Sequence, residues 1–149
     1  MNKTKKQNFN KIILPKISLY ERQLNELFQK YPIELVYVFG SEVTGGPFEP
    51  EDVDVAILLS NNLSKTKRFD LRLDLTTKLS RIFKKEADVS ILNDIQSLFF
   101  KYVIVKEGQI IYEKYLDQRA DFESRILSLY FDFQPFLNIY NQNYVKNNI

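Results

Sequence analysis

In the stretch "VFGSEVTGGPFEPEDVDVAIL", Asp52 and Asp54 stand two apart at the mouth of an apolar run that ends at Leu59. Side chains alternate across a strand, so on a strand Asp52, Asp54 and Ala56 share one face and Val53, Val55 and Ile57 the other. The two carboxylates then lie roughly 6–7 Å apart at Cα and can converge on one point. Like charges on a packed sheet are unfavourable unless a cation lies between them. Mg²⁺ is the natural candidate, because it takes few protein carboxylates and fills its shell with water and substrate phosphates. Three of the four glycines, Gly40, Gly45 and Gly46, fall just before this pair. Backbone freed by glycine can approach a ligand closely. Backbone N–H groups together with the Ser41 hydroxyl make a phosphate cradle. Asp88, in "ADVS", is a charge among apolar residues. If its strand neighbours that of Asp52 and Asp54, three carboxylates suffice for two metal ions that clamp an in-line displacement. Asp88 is then placed to accept the proton of an attacking hydroxyl.

Composition narrows the chemistry further. The 149 residues contain no cysteine and no histidine. That removes disulfides, thiolate nucleophiles, Cys-based zinc, the Ser-His-Asp triad and His-based metallohydrolases. Acid–base and metal chemistry must rest on Asp, Glu, Lys or Tyr. A formal net charge of +2 does not argue for nucleic-acid binding, and the basic opening "MNKTKKQNFNK" reads as a solvated terminus. No apolar run is long enough to cross a bilayer and no signal-peptide core is present, which points to a cytoplasmic protein.

Stepping outward from the carboxylates, the length suits one domain over residues 1–149, with a core at about 18–113 and a C-terminal helical segment at about 117–145. "SLYE" (Ser18 to Glu21) fits a capping box and predicts a helix with Leu24, Leu27, Phe28 and Tyr31 on one face, ended by Pro32. "IELVYVF" (Ile33 to Phe39) predicts a buried strand, and Asp52 to Leu59 a second. The loop between them, Gly40 to Gly46, has room for a short helical turn. "SNNLSKTK" reads as a loop. An amphipathic helix follows over Arg68 to Lys84, with Leu71, Leu75, Leu79, Ile82 and Phe83 as its stripe. Strands are expected at Ala87 to Leu92 and Gln109 to Glu113, with a helical segment near Ser97 to Val105 between them. A last helix, Asp117 to Phe133, carries Phe122, Ile126, Leu129, Tyr130 and Phe133 and is broken by Pro135. Its aromatics serve as core or as a partner face. The sum is an α/β (α+β) domain, a sheet of about four strands with helices packed on it.

Taken singly, these features have plainer readings: "EDVDV" as a half-exposed strand, the glycines as a turn. Gly, Ser, Gly, Asp and Asp at set spacings arise by chance on the order of once in ten thousand chains of this length. A P-loop is excluded, since Gly46-Pro47 stands where Gly-Lys-Ser/Thr is required. The stretch "GSEVTGGPFEPEDVD" resembles the signature of the DNA-polymerase-β-like nucleotidyltransferases: Gly-Ser, ten residues, then Asp-x-Asp, with a further glycine four after the serine. With the short length, "FFKYVIVKEGQIIYE" and "RADFESRILSLYFDF", the chain is similar to the minimal nucleotidyltransferases of the MntA antitoxin type over about residues 18 to 133.

The resemblance implies a polymerase-β-like fold with a mixed sheet. It also implies transfer of AMP from ATP, with Mg²⁺ (two ions), to a tyrosine hydroxyl of a HEPN-domain ribonuclease toxin (HepT-like), in a type VII-like toxin–antitoxin pair. Gly40, Ser41 and Gly45 would bind the nucleotide, Asp52, Asp54 and Asp88 the metals, and the three aspartates would be the catalytic set. Thr44 and Glu51 depart from the arginine and serine of many relatives. Two other functions stand beside this one. One is a non-catalytic antitoxin that acts by direct binding. The other is a nucleotidyltransferase for a small molecule, which would need a larger acceptor domain than the residues after Glu113 can form.

Overall fold

The computed structural model describes residues 19–40 and 52–148. In chain order the elements are α1 (Glu21–Gln29), β1 (Ile33–Phe39), β2 (Asp52–Leu59), α2 (Lys65–Phe83) and β3 (Glu86–Ile91). A 3-10 turn (Leu92–Asp94), α3 (Leu98–Glu107), β4 (Gln109–Glu113) and α4 (Leu116–Asn148) complete the series. The strands form one mixed sheet in the order β3-β2-β1-β4. β1 runs antiparallel to both β2 and β4, while β2 and β3 are parallel. A parallel pair needs a crossover connection, and α2 supplies it.

Alternation along the strands sorts the core into two layers. Val53, Val55, Ile57 and Leu59 of β2, with Ala87, Val89 and Ile91 of β3, pack against Leu24 and Phe28 of α1 and the stripe Leu71, Leu75, Leu79 and Phe83 of α2. On the opposite face Leu35, Tyr37, Ala56 and Leu58 pack against Ile104 of α3 and Phe122 and Ile126 of α4. The Tyr37 hydroxyl, fully buried, donates to Glu123 Oε1 at 2.7 Å and fixes α4 to the sheet. Arg119 Nε donates to the same carboxylate oxygen at 3.1 Å, so this part-buried acceptor also has a cationic partner. This second layer covers β1, β4 and the far half of β2. It leaves the start of β2 and the outer side of β3 open, where Asp52, Glu86 and Asp88 are exposed.

Three expectations change. The start of α1 lies later than the capping box implies: its N-cap is Tyr20, without a side-chain cap, and Ser18 of the box lies outside the described residues. Part of "SNNLSKTK" is helical. Ser64 accepts from the Lys67 N–H at 3.1 Å and starts α2 three residues earlier than the apolar stripe alone indicates. Pro135 does not end the last helix, which runs through it to Asn148. Proline removes one N–H, and at that exposed turn water can satisfy the orphaned carbonyl while the flanking turns keep their own bonds. Within α4 the apolar stripe leaves the core after Ile126, since Leu129 and Phe133 are exposed. The helical turn expected between Gly40 and Gly46 falls outside the described residues.

α2 passes into β3 through Lys84, whose φ of 54° is left-handed without being glycine. Such a conformation costs an L side chain roughly 1–2 kcal/mol. Lys84→Gly is therefore expected to raise unfolding stability by about 1 kcal/mol, part of the relief being offset by glycine's greater freedom in the unfolded chain. Urea unfolding followed by circular dichroism measures it. No gain would mean that the turn is not strained.

Candidate active site

The parallel pairing of β2 and β3 sets Asp54 opposite Asp88 and Asp52 opposite Glu86. Residues paired across neighbouring strands point to the same side, so the three predicted aspartates lie on one face. The sheet brings together what 33 residues of chain keep apart. Local packing makes this placement firm. Ser80 Oγ on α2 accepts the Ala87 N–H at 2.9 Å, and Arg72 Nε on α2 donates to the Val89 carbonyl at 2.8 Å. The backbone on both sides of Asp88 is thus tied to the crossover helix. The next residues inward on the same face, Ala56 and Ser90, are small.

Gly40 meets Asp54 from the other side. Phe39 pairs with Asp54 across β1 and β2, and Gly40 turns out of β1 at φ 75°. A Cβ built on Gly40 would collide with Asp54 Oδ2. The left-handed backbone favours glycine here, and any side chain would also push the Asp54 carboxylate aside. Ser41 and Gly45, with Thr44, Gly46 and Glu51, lie outside the described residues.

The electrostatics follow from this crowding. Burial, then the charge of Asp88, then that of Asp52, raise the Asp54 pKa above the ordinary carboxylate range. No cation is among the described groups that shift it. Among the described residues no three acidic side chains already stand in an arrangement that holds a metal ion. The donor set nevertheless suits one. Hard carboxylate oxygens match Mg²⁺, the exposed Asp52 and Asp88 can rotate toward Asp54, and water or phosphate oxygens complete such a shell. A divalent ion would also relieve the repulsion that raises Asp54. Glu86 is a fourth carboxylate on this face that the sequence reading passed over. The pattern Glu86-Ala87-Asp88 carried the signal, since residues two apart on a strand share a face.

A family model described as "Polymerase beta, Nucleotidyltransferase" matches residues 22–117, more than half of the chain. No curated protein matches. Several solved structures share the fold. A toxin–antitoxin MntA–HepT complex is 19% identical, with a TM-score of 0.65 over 86% of this chain and 98% of that one. A toxin–antitoxin structure with AMP-PNP is 20% identical, with a TM-score of 0.67 over 84% of this chain and 98% of that one. A tri-AMPylated HEPN toxin of Shewanella oneidensis in complex with its MNT antitoxin is 20% identical, with a TM-score of 0.65 over 86% of this chain and 98% of that one.

The raised pKa of Asp54 gives a signed expectation. In the ligand-free protein, ionised Asp54 opposes folding. Its contribution is most favourable below the ordinary carboxylate pKa and is lost as pH rises through the raised folded value. Asp54→Asn should therefore stabilise the ligand-free protein at pH 7, with the gain vanishing near pH 3. Thermal melts across pH test this, and a variant less stable than wild type at pH 7 would contradict it. Gly40→Ala should act in the opposite direction and lower stability by about 1–3 kcal/mol at pH 7, as read by the same melts.

Proposed function

The chain belongs to the polymerase beta nucleotidyltransferase family, and we propose that within it this protein is an adenylyltransferase acting on another protein. It transfers AMP from ATP to a tyrosine hydroxyl of a HEPN ribonuclease toxin and so serves as its antitoxin. The observation that carries this reading is the register pair Asp54–Asp88 with Asp52 one pleat away, crowded against Gly40. Similar folds occur in a complex of an MNT antitoxin with a tri-AMPylated HEPN toxin and in a toxin–antitoxin structure with AMP-PNP. These complexes support the choice of partner and nucleotide.

In this mechanism the acceptor oxygen attacks the α-phosphorus of ATP in line with the leaving pyrophosphate. A new P–O bond forms to the acceptor while the bond to pyrophosphate breaks. Asp52, Asp54 and Asp88 would hold Mg²⁺, which when bound offsets the charge of the triphosphate and of the carboxylates themselves. Asp88, exposed at the edge strand, takes up the hydroxyl proton and passes it to solvent. Gly40 keeps the polyphosphate side of the site open, with Ser41 and Gly45 following it in the nucleotide cradle. Asp54, the half-buried member, keeps the cluster in register because β1 and β3 pair with its strand on either side.

Purified protein, labelled ATP, Mg²⁺ and the HEPN toxin proposed as its partner should yield labelled toxin. Asp52→Ala with Asp54→Ala should lower transfer by at least about a thousandfold. Neutralisation of the toxin that survives this double substitution would favour antitoxin action by binding alone and overturn the enzymatic reading.

A further inference from the structure

A cavity of about 300 Å³ opens beside the outer edge of β3, lined by Lys65, Phe69 and Arg72 of α2 together with Ser90, Ile91 and Ile95. It borders the carboxylate platform. Ser90 is the next residue after Asp88 on the same face, roughly 7 Å along the strand. Its floor is apolar and its rim is basic. The one lining carboxylate, Asp94, is engaged by Arg68, with Nε at 3.0 Å and Nη2 at 2.6 Å. Lys65 and Arg72 thus leave the rim with net positive charge. Phe69 and, one turn on, Leu73 are each 53% exposed and extend the apolar strip along α2.

We propose that this cavity docks the acceptor protein: an apolar side chain flanked by carboxylates enters it, and the adjoining residues of that segment reach the platform at Asp88. The proposal rests on the reading of this chain as a protein adenylyltransferase and adds how it selects its substrate. Two observations decide the chemistry of the occupant. Lys65 and Arg72 favour an acidic segment by charge complementarity. Strand addition is disfavoured, because the Ala87 N–H and Val89 carbonyl of β3 are already taken by Ser80 and Arg72. This favours a partner read through side chains that fill the cavity over one read through its backbone. The polyphosphate of ATP stays on the Gly40 side of Asp54, so nucleotide and acceptor approach the carboxylates from different directions.

The test uses the full chain, the HEPN toxin proposed as its partner, and the double variant Lys65→Glu with Phe69→Ser, both positions being exposed. The double variant should bind the toxin at least about tenfold more weakly and raise KM for the toxin by a similar factor. Its affinity for ATP with Mg²⁺ should stay unchanged in calorimetry. Phe69→Leu, which keeps an apolar group, should retain binding, and rising salt should weaken wild-type binding more than that of the double variant. Equal toxin affinity and equal KM for wild type and double variant would overturn the docking site while leaving the proposed activity standing. A wild-type chain that neither binds nor modifies the toxin would overturn both.

Discussion

The parallel register of β2 and β3 is the constraint on which the site depends. A slip of one residue would turn Asp88 into the apolar layer and bring Val89 onto the open face. A slip of two would set Asp54 beside Glu86 or Ser90. The register is held from both sides. Ala87, Val89 and Ile91 interlock with the α2 stripe beneath the sheet, and Ser80 and Arg72 grip the backbone of β3 at its edge. Beyond the far end of the pair, Asn93 clamps Leu59 by accepting its N–H and donating to its carbonyl, both at 2.9 Å. The crossover helix is thus more than a connector, since it fixes the height at which Asp88 meets Asp54.

That register places like charges together, and the surrounding residues accommodate them without neutralising them. Gly40 gives up its side chain to admit the Asp54 carboxylate, and Ala56 and Ser90 keep the neighbouring positions small. The second core layer stops short of the start of β2, leaving Asp52, Glu86 and Asp88 in water. The ligand-free protein therefore carries an electrostatic cost at Asp54 that a bound cation would remove. Binding sites commonly retain such local destabilisation because the ligand, rather than the fold, is what satisfies them.

Much of this was legible in the chain. β1, β2 and β4 have the bounds expected from their apolar runs, because strands bounded by proline, glycine and charge leave few other registers of burial. The aspartates on β2 could be put on one face by alternation alone. Whether β3 lies beside β2 could not be read from periodicity, since pairing is a non-local choice made by α2 packing. Glu86 was hidden for a related reason: it reads as a solvated charge next to Lys84 and Lys85 until the strand is seen to begin at it. Pro135 misled because its local penalty is real but small against a helix of 33 residues with both flanking turns intact. Ser64 was read as loop because its capping role depends on where the helix is drawn in by packing, not on the apolar stripe that begins at Leu71.

One cation site joining the two strands is the central claim to test. Crystals grown with Mn²⁺ and a non-hydrolysable ATP analogue would test it through anomalous scattering. A peak is expected about 2.0–2.3 Å from carboxylate oxygens of Asp52, Asp54 and Asp88 together, with phosphate oxygens completing the shell. A peak that excludes Asp88, or manganese bound away from β2 and β3, would contradict it.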